Sequence, residues 1–485
     1  MRNLSWWKDA CSVFVLCAAT VRAPAQTFTT LLNFELSDGA GPWYMSLAQG
    51  LDGNFYGTTA YGGSRTGCES SRCGTVFRIT PGGILTSLHL TPAGGSTPFA
   101  GLMLATNGNF YGTAGSGGAD DAGAVFEITK SGREVLLYSF CSQANCADGD
   151  GPGGKLIQAT DGNLYGTTSY GGTNCMSEGG CGTVFRITPA GSLTTIYSFC
   201  SQPSCADGVQ PVAGLIQGRD GNFYGTTFGG GTGNNEGTVF KITTAGTLTT
   251  LHSFDGADGA LPAGWLVQGT DGNFYGTTVT GGAENGSTIF KISPAGTLTT
   301  IYSFCGQPSC VDGDGVYAGL VQGTDGNFYG TTLGGGANYD GTVFGITPGG
   351  SLTTLHAFDF TDGYLPIGGL TQATSGSFYG TTASGGDPMF DGGHGCGTVF
   401  SLSTGFGPFV AFVNAAGKVG QTGSILGQGF TGTTVVSFNG IAASFTVKSD
   451  TFLEATVPPG ATTGYVTVTT PSGTLTSNVP FQVIP

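Results

Sequence analysis

Charge is what this sequence has least of. Only 9% of its 485 residues are Asp, Glu, Lys or Arg, and the acids outnumber the bases by 30 to 15. A formal net charge of −15 speaks against nucleic acid and anionic membrane surfaces as partners, because phosphate recognition needs clustered Lys and Arg. No helical period runs through the chain, and no apolar run is long enough to span a bilayer in the mature protein. No Ser-His-Asp order, phosphate loop or metal-ligand motif stands out. The glycines precede strands rather than helices, which excludes a dinucleotide fingerprint.

Glycine, by contrast, is plentiful, with 91 residues. It lacks the strict triplet period of collagen, and regular strand signals around it argue against disorder. The motif Gly-Asn-Phe-Tyr-Gly-Thr-Thr accounts for much of it. It returns at Asn54–Thr59, Asn109–Ala114, Asn163–Thr168, Asn222–Thr227, Asn273–Thr278, Asn327–Thr332 and, altered, Ser377–Thr382. A period of about fifty residues defines the architecture before anything else.

Each unit reads as four runs. A short apolar run ends in Gln (Leu215-Ile216-Gln217), Asp-Gly leads into Phe-Tyr-Gly-Thr-Thr, a Gly-rich loop precedes Gly-Thr-Val-Phe-x-Ile-Thr, and a Pro-Ala-Gly turn precedes Leu-Thr-Thr-Leu-His-Ser-Phe. Runs of five to eight residues rich in Val, Ile, Thr, Tyr and Phe, bordered by Gly, Asp and Pro, are antiparallel strands. The Asp-Gly pairs suit two-residue type I′ turns. Four strands per unit match a propeller blade, so the expectation is an all-β chain with a seven-bladed β-propeller of four-stranded blades over residues 26–405.

The two ends depart from the repeat. Residues 1–25 read as a secretory signal peptide, with Arg2 and Lys8 at the start, Ala10–Val21 as the apolar segment and Ala23-Pro24-Ala25 as the cleavage site. Thr27–Phe34 carries the fourth-strand pattern with no unit before it, while the seventh repeat changes after its third strand. The N-terminal strand is therefore expected to complete the last blade. After about Pro408 short alternating strands at ten-residue spacing imply an immunoglobulin-like β-sandwich over residues 408–485.

The Asp-Gly-Asn-Phe-Tyr-Gly-Thr-Thr and Gly-Thr-Val-Phe motifs, over roughly residues 27–404, resemble the GloVer (choice-of-anchor) tandem-repeat family. Ile425–Phe430, Val436–Gly440 and Ala455–Pro458 resemble the IPT/TIG type of domain. The first resemblance implies a bacterial, exported repeat protein and brings no catalytic residues to carry over.

Of 13 cysteines, two leave with the signal. Ten of the rest form local pairs: Cys68/Cys73, Cys141/Cys146, Cys175/Cys181, Cys200/Cys205 and Cys305/Cys310. Zinc needs four convergent ligands, so disulfides in an oxidising compartment are the better reading, with Cys396 as the odd one. A Cys396–His394 nucleophile is outweighed by an orphaned half of a lost disulfide. His89, His252 and His356 share one repeat position with Tyr138, Tyr197 and Tyr302, which marks them as interchangeable strand residues. Asp148, Asp150, Asp207, Asp258, Asp312, Asp314 and Asp362 read as turn residues, with calcium the competing use and no other cofactor expected. Gln49, Gln158, Gln217, Gln268, Gln322 and Gln372 are expected to satisfy backbone groups between blades.

In a four-stranded meander the first and third connections open on one side, the second and fourth on the other. The tight turns occupy the first pair; length variation and every cysteine pair fall in the second. A binding site is expected on that variable face, with Tyr61, Tyr170, Asn235, Tyr339, Phe390 and Asp391 as candidate ligand residues. The function expected is an exported, secreted or surface-attached binding and scaffolding protein for an extracellular glycan or protein. The alternative is an exported polysaccharide lyase or hydrolase using carboxylates on the same face.

Overall fold

The computed structural model describes residues 26–63, 74–90, 94–174, 181–389 and 393–484; the signal-peptide reading falls outside them. The fold is all-β and propeller-like. Seven antiparallel four-stranded sheets follow one another along the repeats, and sheet 1 runs β2 (Ala48–Gln49), β3 (Phe55–Thr59), β4 (Thr75–Ile79) and β5 (Leu85–His89). β1 (Thr27–Asn33) pairs antiparallel with Thr398–Ser403, from Thr27↔Ser403 to Asn33↔Thr398, and so supplies the outer strand of the seventh sheet. No described helix is long and apolar enough to cross a membrane.

The Phe-Tyr dipeptide explains how sheets stack. Neighbouring strand residues face opposite sides, so the Tyr of one sheet meets the Phe of the next. Tyr56 stacks on Phe110 at 4.1 Å, Tyr224 on Phe274 at 4.0 Å and Tyr275 on Phe328 at 4.0 Å. Tyr379 of the seventh sheet stacks on Phe55 of the first, also at 4.0 Å. Each of these offset aromatic pairs adds about 1 kcal/mol beyond its buried area.

Polar links run in the same direction. Gln217 Oε1 accepts the Thr160 N–H at 3.0 Å, and Gln322 Oε1 accepts that of Thr270 at 3.0 Å. Gln49 Oε1 accepts the Thr374 N–H at 3.0 Å, joining sheet 7 to sheet 1. The repeated Gln is thus a backbone clamp between sheets. The first Thr of the Phe-Tyr-Gly-Thr-Thr motif does similar work in six of the seven copies, as Thr167 Oγ1 donates to Ala213 O at 2.8 Å; the Thr381 hydroxyl of the seventh is buried without a partner.

Two local expectations change. The Asp-Gly turns are three-residue loops, not two-residue type I′ turns: Gly50 N–H donates to Asn54 O, Gly53 N–H donates to Gly50 O, and Gly53 (φ 79°) is the one residue of the turn in the left-handed region. Asp52 decides this, since its Oδ1 accepts the Asn54 N–H at 3.1 Å and Oδ2 accepts the Tyr56 hydroxyl at 2.9 Å. A type I turn closed by a left-handed Gly results. The innermost strand, expected to be five residues or more, pairs over only two, as in Ala48–Gln49. The residues before it are drawn to the neighbouring sheet instead, where Ala100 O accepts from Thr58 Oγ1 at 3.0 Å.

After Pro408 two four-stranded sheets enclose one core. Ile425, Leu453 and Ala455 of one sheet meet Val436, Phe438, Val466 and Val468 of the other, which makes a β-sandwich. It rests on the tight-turn side of the repeats. Thr451 Oγ1 donates to Leu51 O at 2.8 Å, Gln482 Nε2 to Arg219 O at 2.7 Å and Gln428 Nε2 to Thr374 Oγ1 at 2.9 Å. Leu51, Arg219 and Thr374 all belong to first connections, so the sandwich leaves the opposite, variable side open.

Candidate functional site

On the variable side the second and fourth connections meet in a repeated bridge: Ala40↔Tyr61, Asp150↔Tyr170, Val209↔Gly229 and Asp314↔Gly334 among them. The fourth connections are stapled further by their aspartates. Asp148 Oδ2 accepts from Tyr138 Oη at 2.9 Å and Ser142 N at 3.0 Å, while Oδ1 accepts from Gln143 N at 3.2 Å. Asp207 repeats this with Tyr197 at 2.8 Å, and Asp258 and Asp362 pair instead with His252 Nε2 at 2.6 Å and His356 Nε2 at 2.8 Å. Tyr and His interchange at this strand position because either reaches the same carboxylate. Disulfides Cys141–Cys146, Cys200–Cys205 and Cys305–Cys310 close these loops. Cys181 is also disulfide-bonded; Cys68, Cys73 and Cys175 lie outside the described residues. Cys396 is buried against Phe34 and Val399, whereas His394 is exposed.

The loop residues expected to bind ligand divide. Asn235 turns inward, its Oδ1 accepting the Gly230 N–H at 2.6 Å. The neighbouring Asn174 and Asn338 are likewise occupied, donating to Ser198 O at 2.8 Å and Phe358 O at 3.0 Å at the end of the outer strand of the same sheet. Tyr339 is 62% exposed and stands apart from any cavity lining described below. Phe390 and Asp391 lie outside the described residues. Tyr61 and Tyr170, by contrast, line a cavity of about 430 Å³ that opens on this side.

That cavity is built from the segments leading into the innermost strands. The residue just before the strand's Leu is Gly in four sheets (Gly101, Gly214, Gly319, Gly369) and Ser46, Lys155 or Trp265 in the first, third and fifth. Glycine is required where adjacent backbones close up: a Cβ on Gly101 would lie 2.3 Å from Ser46 O, and one on Gly214 2.4 Å from Lys155 O. Larger residues therefore alternate with glycines. The Trp265 indole extends over its neighbours, so that Cβ atoms on Gly319 and Gly369 would come within 2.6 Å and 2.2 Å of it. It floors the cavity.

Trp43, Tyr44, Phe99, Phe228 and Tyr317 complete an aromatic wall. Tyr44 holds φ at 49°, a left-handed conformation costly for a bulky residue, which none of its counterparts in the other repeats adopts. Its ring reaches Tyr317 with centroids 5.8 Å apart. Burial, and then the neighbouring Tyr317, raise the Tyr44 pKa, so its hydroxyl remains neutral. Among the described lining residues Lys155 alone carries charge. Its Nζ donates to Ser46 Oγ at 3.3 Å, and no carboxylate pairs with it in the described residues. The Lys155 side chain is half-buried, and desolvation drops its pKa to about 8.

Sequence reasoning missed Trp43, Lys155, Trp265 and Tyr317. For Lys155 and Trp265 the signal was present as a repeat position where Gly is the rule and three residues break it; Trp43 and Tyr317 lie outside that position. Both tryptophans of the described residues fall in this one cavity.

These features define an all-β repeat protein of propeller-like build, with an aromatic cavity on its variable side. The model of the Gloeobacter/Verrucomicrobia repeat family matches residues 18–178, 138–313 and 176–400, and the chain belongs to that family. No curated protein matches it. Among solved structures it is similar to a gluconolactonase of Xanthomonas campestris (16% identity, covering 64% of this chain and 89% of that one, TM-score 0.37). It is also similar to a protein of unknown function from Bacteroides thetaiotaomicron (14%, 78% and 76%, TM-score 0.42) and to a puromycin hydrolase (13%, 73% and 51%, TM-score 0.44). At these scores none of the three bears on what this chain does.

Proposed function

We propose that the seven sheets form a closed seven-bladed β-propeller, that the sandwich is an immunoglobulin-like domain of the IPT/TIG type, and that the exported protein binds extracellular glycan in the aromatic cavity. The observation that carries the binding reading is the convergence of Trp43, Tyr44, Tyr61, Tyr170, Trp265 and Tyr317 on one space of about 430 Å³. Flat aromatic faces suit the C–H faces of sugar rings, and Tyr hydroxyls with Gln210 and Ser46 offer partners for sugar hydroxyls. The volume lies in the range of small-molecule sites. Local disulfides fit an oxidising, extracellular setting. Binding is favoured over glycoside hydrolysis because that chemistry uses two flanking carboxylates, and no Asp or Glu is among the described lining residues.

The test is incubation of the mature protein with a panel of polysaccharides, reading retention and product release together. Retention without new reducing ends or unsaturated sugars is expected. Release of either product would replace the binding reading with the enzymatic one.

A further inference from the structure

We infer that the glycan recognised in this cavity is acidic, and that Lys155 holds the carboxylate of a uronic-acid residue against the aromatic wall. The inference rests on the glycan reading above but adds to it the charge of the ligand and the residue that reads it.

Three observations carry it. First, Lys155 is placed where four of the seven repeats have Gly and where backbone crowding explains why. A long cation at that position is not what packing alone selects. Second, the ammonium has one neutral hydrogen-bond partner, Ser46 Oγ, and no described carboxylate to neutralise it. In a chain with two acids for every base, a half-buried cation with no described carboxylate beside it is an exception that a partner from outside would resolve. Third, Lys155 opens into the same space as Trp43, Tyr44, Tyr170, Trp265 and Tyr317, so one ligand can stack a ring and present an anion. The lowered pKa of Lys155 is consistent with a site that is dry, and a carboxylate entering it would restore the charge.

The groups facing Lys155 from the surrounding sheets decide its pH behaviour. The other titratable side chains on the described lining are the hydroxyls of Tyr44, Tyr61, Tyr170 and Tyr317; no His, Arg, Asp or Glu is among them. Uronate is already ionised at neutral pH, so Lys155 sets the profile. Binding should be level below pH 8 and weaken above it as the ammonium loses its proton. With a pKa of about 8, Kd rises roughly tenfold between pH 7 and pH 9.

The experiment follows tryptophan emission, since both described tryptophans line the cavity. The probes are disaccharides of glucuronate, galacturonate and mannuronate, each beside its uncharged methyl ester. The expected result is that at least one acid quenches saturably while its ester binds roughly ten- to a hundredfold more weakly, the worth of a charge-assisted contact. Lys155→Met should bring acid and ester together and flatten the pH profile, with far-UV circular dichroism unchanged. Acid and ester binding alike in the natural protein, or Lys155→Met retaining the preference, overturns the inference and leaves the glycan reading standing. No response to any disaccharide removes the cavity as a saccharide site, and both readings with it.

Discussion

Replacing Lys155 by Met should make the unliganded protein more stable, which is unusual for a residue in the middle of a fold. The ammonium is charged at pH 7 in both folded and unfolded states, but only the folded state desolvates it, half-buried and with no described carboxylate beside it. A pKa that falls from 10.5 to about 8 corresponds to a cost of about 3 kcal/mol at about 1.4 kcal/mol per pKa unit. Met has similar length and no charge to desolvate. Against this stands the lost bond to Ser46 Oγ, worth about 1 kcal/mol, so the net gain is about 2 kcal/mol. The sign with pH follows from proton counting. The folded state binds fewer protons than the unfolded chain between pH 8 and 10.5, so the natural protein gains stability as pH rises through that window. The advantage of Lys155→Met is therefore full below pH 8 and fades towards pH 10.5. Urea unfolding at pH 7 and pH 10, compared at constant m-value, measures both. A variant less stable than the natural protein at pH 7, or an advantage that does not shrink at pH 10, would refute the reasoning.

Three further outcomes are expected. Deleting Thr27–Asn33 removes the partner of Thr398–Ser403 and the Phe28 ring stacked on His356 at 3.6 Å. It should lower the melting temperature by several degrees and cause aggregation through the bared strand edge; melting like the full mature chain would disprove closure by β1. Tyr170→Ala should weaken glycan binding roughly tenfold while Tyr339→Ala, outside the cavity, leaves it unchanged, with neither moving the melting temperature; equal losses in calorimetric titration would shift the site outward. Non-reducing peptide mass spectrometry should show Cys141–Cys146, Cys200–Cys205 and Cys305–Cys310, joined by Cys68–Cys73 and Cys175–Cys181, each within one loop, and any linkage between different repeats would contradict this.

Much of the fold was legible because the repeat writes the same physics many times. Seven copies of Phe-Tyr-Gly-Thr-Thr announce seven equivalent strands, and the stray Thr-Phe-Thr-Thr-Leu-Leu-Asn run before Phe34 could be matched to the missing outer strand. The Gln that ends six of the seven first strands was correctly assigned to backbone groups between sheets, where it accepts an N–H of the preceding sheet. The turn type was not legible, because Asp-Gly occurs in two-residue and three-residue hairpins alike; the Asp52 carboxylate bonded to Asn54 and Tyr56 selects the longer one. The candidate site was half legible. Topology pointed to the side on which Tyr61 and Tyr170 meet the cavity, yet Asn235, expected to face a ligand, proves to be tied to the backbone of its own loop. Trp265 and Lys155 were hidden because side-chain identity at a repeat position says nothing about the distance between backbones there. The crowding of Ser46 O against Gly101 supplies that missing number.

The pairing of β1 with Thr398–Ser403 also fixes an order of events. The segment that leaves the ribosome early must wait for the seventh repeat before it has a strand to lie against. Until then the growing chain carries a sticky, Thr-rich edge at its front and an incomplete sheet at its rear. Each sheet in between can form from local contacts, but the last step joins residues separated by most of the chain. Loop-closure entropy grows only slowly with that separation, so the wait costs time more than stability. A chain cut short just before the third strand of the seventh repeat would hold six complete sheets and leave β1 without its partner.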